Sequence, residues 1–177
     1  DMHALDGKLY FGGKDDSEEW ELYVYDSVAG TTTAVASANL NSSGSTAPAY
    51  MHALDGKLYF RGTDGSENEL YVFNPEMGAT SKVDSANKNS SGGTDPSFMQ
   101  ALDGKLYFSG TDDGLEYELY VYDPDTGATT AVASADKNSS GSTYPVYMQA
   151  LDGKLYFTGN DGSEPELYVY FPDDLTT

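Results

Sequence analysis

An all-β fold, arranged as a β-propeller of four blades, is what this sequence predicts, and three observations carry the prediction. The octapeptide Ala-Leu-Asp-Gly-Lys-Leu-Tyr-Phe occurs four times, at Ala4–Phe11, Ala53–Phe60, Ala101–Phe108 and Ala150–Phe157, with start-to-start spacings of 49, 48 and 49 residues. A second block, Glu-Leu-Tyr-Val followed by Tyr or Phe, recurs in step at Glu21–Tyr25, Glu69–Phe73, Glu118–Tyr122 and Glu166–Tyr170. Between these blocks lie turn signals and no helical period, so each repeat reads as one four-stranded supersecondary unit.

The second repeat shows each element. Tyr50–Leu54 is the first strand, closed by Asp55-Gly56, a dipeptide suited to tight hairpins because both residues tolerate positive φ. Lys57–Phe60 is the second strand, ending at Gly62, and an acidic loop from Thr63 to Asn68 leads to the third, Glu69–Phe73. Asn74-Pro75 stops that strand, since proline cannot donate to a ladder. Thr80–Val83 forms the fourth strand, matched by Thr31–Ala36 and Thr129–Ala133 in the flanking repeats, where Thr and Val suit a pleated surface. A polar loop such as Asn39–Pro48 reaches the next repeat.

One such sheet cannot bury both faces, so the copies must stack. The expected organisation is a single propeller domain over 1–177, with repeats 1–47, 48–95, 96–144 and a shortened 145–177. With Asp174–Thr177 supplying the missing outer strand, four blades are expected to close within one chain; membership of a larger ring, or pairing with a neighbour, is the alternative.

Composition narrows the function. Asp and Glu number 29 against 9 Lys and Arg, a formal net charge of −20, which argues against phosphate backbones and anionic lipid surfaces as partners. Aromatics at 13% mark a folding chain rather than an acidic disordered one. There is no Cys, so disulfides and thiolate metal sites are out, and no apolar run is long enough to insert in a membrane. The start at Asp1, without an initiator Met, predicts a processed or trimmed N-terminus.

The pattern Asp-Gly-Lys-Leu-Tyr-Phe-x-Gly, then Tyr-Asp-Pro and a Thr-rich strand, resembles the kelch repeat, best at Asp103–Gly110 with Tyr122-Asp123-Pro124. The paired glycines of that repeat survive as Gly12-Gly13, Arg61, Ser109 and Thr158 replace the first elsewhere, and the outer-strand Trp is missing. Gly-Lys-Leu-Tyr-Phe, an Asp-Gly loop and then Glu-Leu-Tyr is similar to the extracellular ELWxxDGT-type repeats, with Tyr23, Tyr71, Tyr120 and Tyr168 standing where that group has Trp. Both resemblances imply a propeller, the second an exported protein in the extracellular space or a secretory lumen, and neither brings catalytic residues.

Catalysis needs unlike groups converging on one point, whereas a repeat offers the same groups four times; no enzyme is expected. His3 and His52 occupy equivalent positions, filled by Gln100 and Gln149 in the later repeats, and all four are candidates to line a central channel. The acidic loops supply a candidate calcium shell, from Asp15, Asp16, Asp64, Glu67, Asp112, Asp113, Asp161 and Glu164, although the EF-hand spacing is absent. Lys8, Lys57, Lys105 and Lys154 are expected to face the Glu of the Glu-Leu-Tyr-Val blocks across strands. Asn41, Asn89 and Asn138 each open an Asn-Ser-Ser acceptor for N-glycosylation in the loop between repeats. Together these readings favour a non-catalytic binding or assembly module with a protein or glycan partner, lectin-like in its specific form. The alternative is a structural subunit of a larger assembly or matrix, rigidified by calcium.

Overall fold

The computed structural model describes residues 1–89, 92–138 and 141–172. The chain forms two compact units, Asp1–Asp84 and Ser85–Thr177. The first unit holds two antiparallel sheets in up-and-down order. One contains β1 (Met2–Leu5), β2 (Lys8–Lys14), β3 (Trp20–Asp26) and β4 (Thr31–Ala34); the other contains β5 (Ala49–Leu54), β6 (Lys57–Thr63), β7 (Asn68–Asn74) and β8 (Ala79–Lys82). In the second unit β9 (Ser97–Leu102), β10 (Lys105–Thr111), β11 (Tyr117–Asp123) and β12 (Ala128–Ala131) form the third sheet. The fourth has β13 (Val146–Leu151), β14 (Lys154–Asn160) and β15 (Pro165–Tyr170). The outer strand assigned from sequence to Asp174–Thr177 lies outside the described residues.

Each Asp-Gly turn takes the left-handed conformation at both residues, with φ from 50° to 51° at Asp6, Asp55, Asp103 and Asp152 and from 69° to 73° at the glycines. That is the twist a two-residue hairpin needs to match its strands. Phe11, Phe60, Phe108 and Phe157 pair directly across the second and third strands with Tyr23, Tyr71, Tyr120 and Tyr168, stacked at 5.8–6.0 Å. The tyrosine of Glu-Leu-Tyr is therefore one half of a cross-strand aromatic pair in every blade.

Apolar cores fill the space between consecutive sheets of each unit. In the first, Leu5, Tyr10, Leu22 and Val24 of one blade meet Met51, Leu58, Phe60, Tyr71 and Phe73 of the next. In the second, Leu102, Tyr107, Leu119 and Val121 meet Met148, Leu155, Phe157 and Tyr170 in the same way. Each sheet thus has a trailing face, carrying the Leu of Glu-Leu-Tyr, and a leading face, carrying Met and Phe.

The structure departs from the sequence reading in three places. The fourth strands end at Ala34, Lys82 and Ala131, and short 3₁₀ turns follow at Ala36–Ala38, Asp84–Ala86 and Ala133–Ala135, each tucking an alanine into the core. The strands β5, β9 and β13 carry a bulge, with Tyr50, Phe98 and Tyr147 at φ of 49° to 52°. Two of the lysines go elsewhere: Lys8 pairs with Asp26, its register partner at the far end of the third strand, at 3.4 Å, and Lys105 with Asp123 at 3.3 Å.

Glu69 pairs with Lys82 at 3.1 Å, while Glu21 and Glu118 hold the loop that leads to the next blade. Glu21 Oε1 accepts the Thr46 amide at 3.2 Å, and the Thr46 carbonyl accepts the Thr63 amide of the following blade at 2.9 Å. Glu118, Thr143 and Asn160 repeat the relay at 2.9 and 2.7 Å. The threonine hydroxyl closes the loop on itself, Thr46 Oγ1 accepting the Leu40 amide at 3.0 Å, Thr94 Oγ1 that of Lys88 and Thr143 Oγ1 that of Lys137. All three threonines are completely buried. Gly110 lets the linker lie this close, because a Cβ there would meet Thr94 Cγ2 at 2.8 Å. Replacing Thr46 with Val keeps the shape but orphans the Leu40 amide, so urea unfolding should report a loss of about 1–3 kcal/mol.

Candidate binding surface

Antiparallel order gives every blade two unlike ends. The Asp-Gly turn and the turn between third and fourth strands lie at one end. The acidic loop between second and third strands lies at the other, where the linker enters. At this linker end the backbone is held tightly. Ala47 and Tyr144 amides donate to the Trp20 and Tyr117 carbonyls at 3.0 and 2.9 Å, while Ser45 and Ser142 hydroxyls accept the Trp20 and Tyr117 amides at 2.8 Å.

Ala47, Asp95 and Tyr144, each just before a proline, all have φ of 49° to 51°. A left-handed conformation at a non-glycine residue costs about 1–2 kcal/mol and persists only where its surroundings impose it. At Ala47 and Tyr144 the linker hydrogen bonds hold it, and the bulge aromatics Tyr50, Phe98 and Tyr147 share the positive φ, with Tyr147 exposed.

These positions also differ between otherwise near-identical blades. The residue before proline is Ala47, Asp95 or Tyr144; the first residue of the third strand is Trp20, Asn68, Tyr117 or Pro165; the residue after Phe is Gly12, Arg61, Ser109 or Thr158. The variable side chains meet one another. Arg61 lies over the Tyr50 ring at 4.8 Å, Tyr117 packs edge-on against Tyr144 at 5.3 Å, and the Tyr117 hydroxyl donates to Asp95 Oδ2 at 2.8 Å. Phe98 and Tyr147 make a further edge-on pair at 5.5 Å. In the fourth blade Tyr144, Val146, Thr158, Asn160 and Pro165 line a cleft of about 350 Å³. Tyr144, Tyr147 and Trp20 are exposed. The tips of the turns between third and fourth strands also vary, but Val28 and Met77 stand there in open solvent.

The loop aspartates serve their own turns. Asp15 Oδ1 accepts the Ser17 and Glu19 amides, Asp64 Oδ1 that of Ser66, Asp113 Oδ1 those of Leu115 and Glu116, and Asp161 Oδ1 that of Ser163. Hydrogen bonds from Ser66, from the Glu116 amide and from Ser163 hold Asp64, Asp113 and Asp161 below the usual carboxylate range. Asp16, Asp112 and Glu164 are exposed and Glu67 is half-buried. Among the described residues no group of three or more His, Asp or Glu side chains is placed to hold a metal ion.

The acceptor asparagines are loop braces. The Nδ2 atoms of Asn41, Asn89 and Asn138 donate to the carbonyls of Ser45, Gly93 and Ser142 at 3.3–3.5 Å, and each side chain rests on the glycine of the next acidic loop, Gly65, Gly114 or Gly162. The side-chain nitrogen of each is thus hydrogen-bonded within its own loop; Asn41 and Asn138 are half-buried and Asn89 is buried. Ser90, Ser91, Ser139 and Ser140 lie outside the described residues.

His3 of β1 and His52 of β5 meet at 5.1 Å between ring centroids, and His3 Nε2 accepts the Ala53 amide at 3.2 Å, which fixes it as an unprotonated nitrogen. Gln100 on β9 donates to the Ala101 carbonyl, and Gln149 on β13 is exposed. Burial lowers the pKa of His3, and burial with the neighbouring His3 lowers that of His52 to about 4.

No family model matches the chain, and no curated protein does. Solved structures do. TolB from Acinetobacter baumannii aligns with a TM-score of 0.60 at 18% identity, over 93% of this chain and 38% of that one. The β-propeller domain of the Trilobed protease from Pyrococcus furiosus aligns with a TM-score of 0.57 at 14% identity, over 96% and 48%. The GH74 xyloglucanase from Xanthomonas campestris gives 0.63 at 16%, over 96% and 28%. The chain spans less than half the length of each, and at these identities the likeness establishes the β-propeller fold and nothing further. It does not single out the kelch repeat.

A histidine with a lowered pKa contributes stability above its free value of 6.5, which is lost as pH falls toward the folded value. Between pH 6.5 and 4 the wild type should therefore lose more stability than His52→Gln, the residue the later blades carry, when urea midpoints are compared at matched pH.

Proposed function

We propose that the chain is a non-catalytic binding module whose linker end contacts a protein or glycan partner outside the cytosol. One observation carries the reading: the residues that distinguish the blades gather at the linker end, on a backbone held in a costly conformation, while the blade interiors repeat. Exposed tyrosine and tryptophan beside carboxylates suit two kinds of surface. Aromatic faces stack on the apolar face of a sugar, and the same rings with acidic neighbours attract cationic side chains.

The non-catalytic part is supported by the histidines, a neutral, partly buried pair with one nitrogen spent on the backbone. Placement outside the cytosol is supported by the similarity to exported repeats and by an acidic surface that stays soluble at high ionic strength.

Glycan arrays and pull-downs with the purified chain should yield a ligand whose affinity falls at least tenfold in a Tyr144→Ala/Tyr147→Ala variant with an unchanged melting temperature. Empty arrays and pull-downs, or a ligand indifferent to that variant, refute the assignment to this surface.

A further inference from the structure

Two linkers share one backbone plan but carry different side chains at its outermost point. Ahead of the second blade, the Ala47 amide donates to the Trp20 carbonyl at 3.0 Å and the Ser45 hydroxyl accepts the Trp20 amide at 2.8 Å. Ahead of the fourth, the Tyr144 amide donates to the Tyr117 carbonyl at 2.9 Å and the Ser142 hydroxyl accepts the Tyr117 amide at 2.8 Å. Trp20 and Tyr117 hold the same register position, opposite Lys14 and Thr111 at the start of the third strand. Ala47 and Tyr144 both have a φ of 49°, and a proline follows each. Equal anchoring and equal φ send the two Cβ atoms the same way from the aromatic residue beside them.

What lies beyond Cβ differs. The Tyr144 ring packs edge-on against Tyr117 at 5.3 Å, and Tyr117 is half-buried. Alanine at 47 brings no ring, and Trp20 is 47% exposed. The indole is seated against Gly12, where a Cβ would stand 3.7 Å from Trp20 Cε3. Lys14, ion-paired with Glu18 at 2.7 Å, holds its ammonium 5.9 Å from the centre of the Trp20 ring. A cationic side chain arriving there would meet a like charge, so a neutral occupant suits the place. We propose that the notch left by Ala47 beside Trp20 takes the ring of a tyrosine or phenylalanine from a protein partner, seated edge-on as Tyr144 is against Tyr117. The pair made by Tyr117 and Tyr144 is the template for the complex. Edge-on contact matches the quadrupoles of two rings, and aromatic anchors in such notches dominate many protein interfaces. The inference rests on the reading of the linker end as a binding surface and narrows it to a protein partner with an aromatic anchor.

Trp20 is the only tryptophan of the chain, so its emission reports on this notch alone. Linear peptides selected from a phage-displayed random library on the immobilised chain are the probe. They should share a tyrosine or phenylalanine, shift the Trp20 emission to the blue on binding, and lose about tenfold in affinity when that residue becomes alanine. Ala47→Tyr should fill the notch with the chain's own ring, in a backbone conformation that Tyr144 already adopts. It should shift the emission without any peptide and weaken peptide binding about tenfold, as should Trp20→Ala, with far-UV circular dichroism checking both folds. A library that yields no binder, binders with no aromatic requirement, or binding indifferent to Ala47→Tyr overturns the proposal. So does a saturable emission change with methyl β-galactoside that Ala47→Tyr abolishes, which assigns the notch to a sugar. Ala47→Tyr leaves Tyr144 and Tyr147 in place, so a partner lost with those tyrosines but kept by Ala47→Tyr sinks this inference and leaves the binding surface standing.

Discussion

A buried threonine in each linker is the joint on which the architecture depends. In the two relays described in full, the preceding blade's glutamate takes the threonine amide and the following blade's second strand donates to its carbonyl. The hydroxyl meanwhile secures the linker's own beginning. Every polar group of a buried residue is used, as burial demands, and each use fixes a different piece of chain. Apolar packing alone would bring two blades together loosely; the relay sets their register at the end where the differences between blades gather. Its electrostatics are less comfortable. Burial pushes the Glu21 and Glu118 carboxyls up from their usual range against the pull of the threonine hydrogen bonds, so the clamp works at some cost.

Much of this was legible in the residues. The four strands of the first three blades, the Asp-Gly hairpins and the stacking of blades follow from period, turn chemistry and the two-faced nature of a sheet, and they appear as expected. What the pattern of single residues could not express was partner choice across the chain. Lysine and glutamate in one repeat look like a cross-strand pair, but the strand register places Lys8 opposite Asp26 and Glu21 opposite Gly13, which sends the glutamate to the linker. In the acidic loops, Asx-type hydrogen bonds that no single-residue pattern shows engage one carboxylate oxygen of Asp15, Asp64, Asp113 and Asp161.

The proposed binding surface stood out less in the sequence for a related reason. Sequence reading favours what recurs, and Asn-Ser-Ser drew attention because it repeats. The informative signal was the opposite: Gly-x-Thr-x-Pro recurs in every linker while the residue before proline does not, being Ala47, Asp95 or Tyr144. Only a backbone that places those residues at positive φ, beside Trp20, Tyr117 and the bulge aromatics, makes their variation meaningful.

That left-handed residue has a consequence for how such a chain can change. The energetic penalty belongs to the backbone, and it has already been met by the linker whatever side chain is attached, provided it is not β-branched. A substitution there alters what an outside molecule encounters without disturbing any core contact. Each linker is therefore a socket into which a new side chain can be fitted one blade at a time, so the outer surface can drift through neutral steps while the framework that displays it stands still.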